Sequence, residues 1–219
     1  MSDESKDETS TEAHEGPEAL ETSSEERATI RAQRLERLAE LRDGGVSPYP
    51  YRFERSSDIG PVRKEWAAIE PGTETGSIAR LAGRLMLKRE QGRLTFGQLR
   101  DRSGEIQLFV SAGVLGKESL AEFNKLDRGD WVGVEGEIMA TKKGELSIKI
   151  TTWELLSKAL RPLPDKWKGL ADVDARYRQR YVDLTVNPDA RRVFEVRFAA
   201  VDAIRQVLRE RGYLEVETP

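Results

Sequence analysis

The 219-residue chain is 34% charged, 37% hydrophobic and 7% aromatic, with a formal net charge of −3. It has no cysteine and a single histidine, His14, in a polar stretch, which excludes disulfides, thiol nucleophiles, thiolate metal sites and His-based acid–base or metal chemistry. No apolar run nears the roughly 20 residues of a membrane span, and the acidic start lacks the basic and apolar regions of a secretory signal, so a soluble, cytoplasmic protein without a membrane partner is expected.

The net charge conceals a split. Residues 1–26 hold ten Asp or Glu and one Lys, a net −9, so the rest of the chain carries +6. A basic body leaves nucleic acid open as a partner, because Lys and Arg displace the counterions of a phosphate backbone; an ordinary solvated surface is the plainer reading. Residues 1–24 are rich in Ser, Thr and Glu, with Leu20 the one large aliphatic after the start, and are expected to be a disordered acidic tail.

Residues 25–76 read as a helix and a connector. In the helix, 25–42, Ile30, Leu35, Leu38 and Leu41 share one face, and Gly44-Gly45 stops it. Its other face carries Arg31, Arg34 and Arg37, expected to be solvated, with contact to RNA phosphates as the sharper alternative. Residues 46–53 form a Pro-interrupted extended stretch, and 56–70 predict a short helix that packs Trp66 and Ile69 on a barrel of strands downstream.

Residues 77–154 carry the strongest periodicity. Apolar or small residues alternate with basic ones over 79–88, where Ala79, Leu81, Gly83, Leu85 and Leu87 oppose Arg80, Arg84 and Lys88. A second strand is predicted at 93–100, a four-residue turn at Asp101-Arg102-Ser103-Gly104, and a third strand at 105–111 with Ile106, Leu108 and Val110 on one face. A helix over 115–126 precedes a fourth strand, 131–140, and a fifth, 145–153, which points Leu146, Ile148 and Ile150 inward and Glu145, Ser147 and Lys149 outward. Three strands, a helix, then two strands is the order of the OB-fold, a five-stranded barrel whose exposed face binds oligonucleotides or oligosaccharides. On that face Phe96 offers a stacking platform, and the amide of Gln107 can bond a base edge.

Residues 155–184 read as an interdomain linker, interrupted by Pro162 and Pro164 and helical over 172–184. In 185–219, Asn187 is a good N-cap, Pro188 suits the first helical position, and Phe194, Phe198, Val201, Ile204 and Leu208 form an apolar stripe. Gly212 ends the helix, and 213–219 predict a strand with Leu214 and Val216 on one side.

Three strings in order carry a family resemblance. They are Gly144-Glu145-Leu146-Ser147; Leu156-Ser157-Lys158-Ala159-Leu160-Arg161-Pro162-Leu163-Pro164-Asp165-Lys166 with the later Arg176-Tyr177-Arg178-Gln179-Arg180-Tyr181-Val182-Asp183-Leu184; and Gly212-Tyr213-Leu214-Glu215-Val216-Glu217-Thr218-Pro219. From about residue 27 to 219 the chain resembles the N-terminal part of class II lysyl-tRNA synthetases, the last string resembling the end of class II motif 1. The resemblance implies an all-β OB-fold barrel with flanking helices that binds the anticodon of a lysine tRNA, a linker, and the first helix–strand element of a class II catalytic domain. It implies that Arg89, Phe96, Gln107 and Glu145 read the uridines of that anticodon, chiefly the central one, with Arg84, Lys88 and Lys149 as possible phosphate contacts. It implies a homodimer interface at motif 1, drawn from Phe194, Arg197, Phe198, Val201, Ile204, Gly212 and Pro219. ATP and Mg²⁺ belong to later motifs, so no cofactor or metal is expected within this stretch, which by itself is expected to be inactive in forming lysyl-adenylate. The alternative is a free-standing OB-fold protein for single-stranded nucleic acid.

Overall fold

A computed structural model describes residues 24–164, 170 and 172–218. The expected acidic tail falls almost wholly outside them, as does Pro219.

Alternation dictates the barrel. Five strands, β1 (Glu74–Gln91), β2 (Leu94–Arg100), β3 (Glu105–Ser111), β4 (Trp131–Ala140) and β5 (Leu146–Ser157), close in the order β1-β2-β3-β5-β4. All pairings are antiparallel except β3 with β5. The inward residues of each strand, among them Leu81, Leu85, Leu99, Ile106, Leu108, Val132, Val134, Ile148 and Ile150, are buried in one core. This is the OB-fold expected from the element order. β5 runs through Ser157, so the first residues read as linker complete the barrel.

The helices seal its openings. α1 (Ser24–Asp43) and α2 (Ile59–Glu65) precede β1; α3 (Ala112–Leu115) and α4 (Lys117–Asn124) lie between β3 and β4. The expected single helix over 115–126 is therefore two short ones, parted at Gly116, whose φ of 90° suits glycine alone. α2 buries Ile59 and Val62, and Trp66 and Ile69 pack against the core. Asp101 pins it: one carboxylate oxygen accepts the Ile59 N–H at 2.8 Å, and the other accepts N–H groups of Ser103 and Gly104 in the β2–β3 turn.

Arg34 corrects the reading of α1. It is 6% exposed and lies on the packed face with Leu38, whereas Leu35 is 37% exposed. Its guanidinium donates to the carbonyls of Ala159, Arg161 and Arg128, and the neighbouring Arg37 pairs with Asp127 at 2.8 Å. The helix docks on this turn through arginine because carbonyls, not apolar groups, line that place.

Beyond the barrel lie α5 (Val173–Arg178), α6 (Arg180–Val186) and α7 (Pro188–Glu210). Asp183 is fully buried and accepts from Arg176, Arg180 and Asn187. Asn187 thus stands at the N-cap position of α7 but spends its side chain on Asp183 and Leu170, making no cap hydrogen bond. The expected strand over 213–219 is not formed by residues 213–218. Alternation of Leu214 and Val216 is necessary for a strand but not sufficient, since a strand needs a partner's backbone groups, and both side chains here are exposed.

Candidate nucleic-acid interface

Barrel register places the predicted residues on two rows of the outer face. Arg89 on β1 pairs with Phe96 on β2, Phe96 with Phe109 on β3, Phe109 with Lys149 on β5, and Lys149 with Glu137 on β4. The next row runs Leu87, Gln98, Gln107, Ser147, Met139. Phe96 and Gln107 are thus diagonal neighbours on adjacent strands, and Arg89 stands directly beside Phe96. Glu145 lies one row further on, at the β4–β5 hairpin, where its backbone exchanges hydrogen bonds with Thr141.

Phe96 is half-buried, and its ring meets that of Phe109 edge-to-face, with centroids 5.6 Å apart and planes at 74°. The side chains of Arg89 and Glu145 are exposed and form no hydrogen bond or ion pair with other described residues. A free guanidinium, an aromatic ring, an amide and a free carboxylate therefore face one side of the barrel. Together they combine an aromatic face with hydrogen-bond donors and acceptors on one side of the barrel.

The three cations expected to meet phosphates are engaged internally. A β-bulge between Leu85 and Leu87 reverses the alternation of β1, so Leu87 turns outward and Lys88 inward. Lys88 donates to the carbonyls of Asn124 and Leu126 beneath α4. Arg84 donates to Gly129 O at 2.8 Å and lies over the Trp131 ring, and burial pulls its pKa down. Lys149 bridges Glu74 at 2.8 Å and Glu137 at 3.7 Å, and the Glu74 hydrogen bond holds its ammonium above the ordinary lysine range. Ser147 lies on the outer row yet is fully buried, its hydroxyl turned back to Glu145 O at 3.0 Å.

The residues expected at a dimer interface present an open surface. Phe198 is 61% and Ile204 60% exposed, and Val201 is exposed beside them on α7. Phe194 is half-buried, 6.0 Å from the Phe198 ring and 5.4 Å from the Arg180 guanidinium. Gly212 has a φ of 83°, which ends α7.

Residues 79–156 match the OB-fold nucleic acid binding domain family, and 172–219 match the class II tRNA synthetases for D, K and N. Lysine–tRNA ligases align across both: that of Clostridium perfringens is 46% identical over 187 residues, covering 85% of this chain and 36% of the relative. The enzyme of a Synechococcus is 46% identical over 191 residues, 87% of this chain and 39% of the relative, and that of Syntrophomonas wolfei 45% over 190 residues, 87% and 38%. The chain belongs to the lysine–tRNA ligase family. It spans 36–39% of the length of these relatives and corresponds to their N-terminal part, the OB domain and the start of the class II domain. No helix among the described residues is long and apolar enough to cross a membrane.

Gln98 and Glu105 share the outer face with Phe109 but did not stand out in the sequence. Each sits at a position where alternation predicts only a solvated residue. Strand pairing, absent from any local pattern, is what joins them to Phe96 and Gln107.

Proposed function

We propose that the outer face of the barrel reads the anticodon of a lysine tRNA, as part of an ATP-dependent ligase that joins lysine to that tRNA by way of lysyl-adenylate in the cytoplasm. The observation that carries this reading is Phe96, a half-exposed ring beside the unpaired guanidinium of Arg89 and diagonal to Gln107, in a chain of this family. A ring so placed gives a splayed base a platform worth ~1–3 kcal/mol. Gln107 can donate and accept on a Watson–Crick edge, Glu145 accepts from a base N–H, and Arg89 donates to a base carbonyl or a phosphate. On this reading the bases are the uridines of the lysine anticodon, chiefly the central one. Phosphate contact by Arg84 or Lys88 would exchange a bond to the protein's own backbone for one to RNA, whereas Lys149 keeps spare protons at the surface.

The exposed stripe of α7, with Phe194, Arg197, Phe198, Val201, Ile204 and Gly212, together with Pro219, is proposed to be covered by a second copy in a homodimer. ATP and Mg²⁺ serve the ligase as a whole. Among the described residues no group of three or more His, Cys, Asp or Glu is placed to hold a metal ion.

Binding of the chain to stem-loops carrying a lysine anticodon or an anticodon without uridine tests the proposal. Tighter binding of the lysine loop is expected, and Phe96→Ala should weaken that binding by about 1–3 kcal/mol. Equal, strongly salt-dependent binding of both loops, unchanged in the variant, would instead mean a general single-strand binder held by charge.

A further inference from the structure

We propose that Gln98 is a further reading residue, presenting its amide carbonyl to the imino N–H of the base stacked on Phe96, and that Glu105 is the positioning residue that holds it in that sense. The inference rests on the anticodon-reading proposal and concerns the same face.

Gln98 follows Phe96 by two residues on β2, so both side chains leave the strand on one side, and Gln98 is directly opposite Gln107. Both amides are half-buried. A glutamine amide in isolation can turn either end to a ligand. Here the choice is made by chemistry: the Gln98 amide nitrogen donates to a carboxylate oxygen of Glu105, and a carboxylate can only accept. The Gln98 oxygen is thereby left as the end free to meet a ligand.

Glu105 is itself held. Its other oxygen accepts from Nε and from a terminal nitrogen of Arg100. The opposite terminal nitrogen of Arg100 donates to Thr185 O in α6 at 3.0 Å, and Arg191 of α7 converges on the same carbonyl at 3.3 Å. The amide is therefore braced from the body of the protein rather than by solvent.

A fixed acceptor at the middle of a base edge suits uracil, whose central ring nitrogen carries a proton. It opposes cytosine, whose central nitrogen carries a lone pair. Phe96 cannot make this distinction, because every base has a stacking face. The geometry thus divides the work: Phe96 supplies affinity, and Gln98 supplies choice.

The test uses the full chain and two lysine-type anticodon stem-loops, one with uridine and one with cytidine at the central position. The wild type is expected to prefer uridine by about tenfold or more, the scale of one hydrogen bond gained against one lone-pair conflict. Gln98→Leu should reduce that preference about tenfold. Glu105→Gln, which lets the two amides pair in either sense, should reduce it by less, with thermal stability measured alongside. Phe96→Ala should weaken both loops alike and leave their ratio unchanged. If Phe96→Ala weakens binding while Gln98→Leu keeps the full preference, this inference fails and the anticodon reading stands. If Phe96→Ala changes nothing, both fall.

Discussion

Lys149, within β5, and Lys158, just past its last residue, each stand between two carboxylates, and the protein uses them differently. The side chain of Lys158 is 2% exposed; its ammonium meets Asp127 at 2.6 Å and Asp130 at 2.9 and 3.0 Å. That of Lys149 is 22% exposed, close to Glu74 but 3.7 Å from Glu137. The first bridge ties the end of the barrel to the turn before β4, where Arg34 and Arg37 of α1 also converge. The second lies on the outer row beside Phe109. A lysine between two acids is thus a fastening where water is excluded and an adjustable surface group where it is not. The sequence spacing of the three residues says nothing about which.

The largest consequence belongs to the sealed bridge. Lys158→Met should cost about 3–5 kcal/mol of unfolding free energy, because the fully buried Asp130 would lose its cation. Asp130 retains the N–H groups of Ala159 and Asp127, so the variant should fold, with a lowered urea midpoint. A loss under about 1 kcal/mol would mean that the two bridges are energetically alike. Next comes the backbone under Lys149. A Cβ on Gly136 would lie 2.2 Å from the Lys149 carbonyl oxygen, so Gly136→Ala must force β4 and β5 apart. About 1–3 kcal/mol of destabilisation is expected by urea unfolding. An unchanged midpoint would show that the strand carrying the outer row yields at this point.

What could be read in the sequence depends on how local each cause is. The five strands were legible because alternation is written within each segment, and the outward parity of Phe96 and Gln107 came with them. Lys88 was misplaced because a single bulge reverses parity, and the bulge exists to admit the turn at Gly129 and Asp130, which bonds the backbone of Leu85 from 44 and 45 residues away. Arg34 was misplaced because helical spacing marks a face but not what the face meets, and here it meets carbonyls. The strand expected after Gly212 failed for the opposite reason: its alternation is present and its partner backbone is not among the described residues. On the outer face, the positions of Phe96 and Gln107 were legible from alternation, and those of Arg89 and Glu145 came from the resemblance. Gln98 and Glu105 were not, since their meaning arises only from pairing across β2 and β3.

The two bridges also part company in their response to pH, in opposite directions. Asp127 must shed the cost of burial, yet the hydrogen bond and charge of Lys158, helped by Arg34 and Arg37, hold its carboxyl below the usual value. A depressed carboxyl contributes stability that is present above the unfolded pKa of about 3.9 and lost as pH falls through the native one. Asp127→Asn should therefore cost about 1 kcal/mol near neutrality, and the gap from wild type should close as pH drops below about 4 in urea unfolding. A gap that persists in acid would mean that the Asn disturbs packing rather than charge.

Lys149 gives the smallest and mirrored effect. Its ammonium is held above the ordinary value of 10.5 by the hydrogen bond to Glu74, so its contribution is present below that pH and disappears as pH rises through the raised native value. Lys149→Met should cost less than about 1 kcal/mol, because a partly exposed pair is screened by water and salt. The cost should be flat through neutrality and in mild acid, and vanish only on the alkaline side. If instead the variant loses as much as Lys158→Met, the outer bridge is a structural fastening. The outer row would then owe its shape to Lys149, and its freedom to adjust around a bound base would have to come from Arg89 and Glu145 alone.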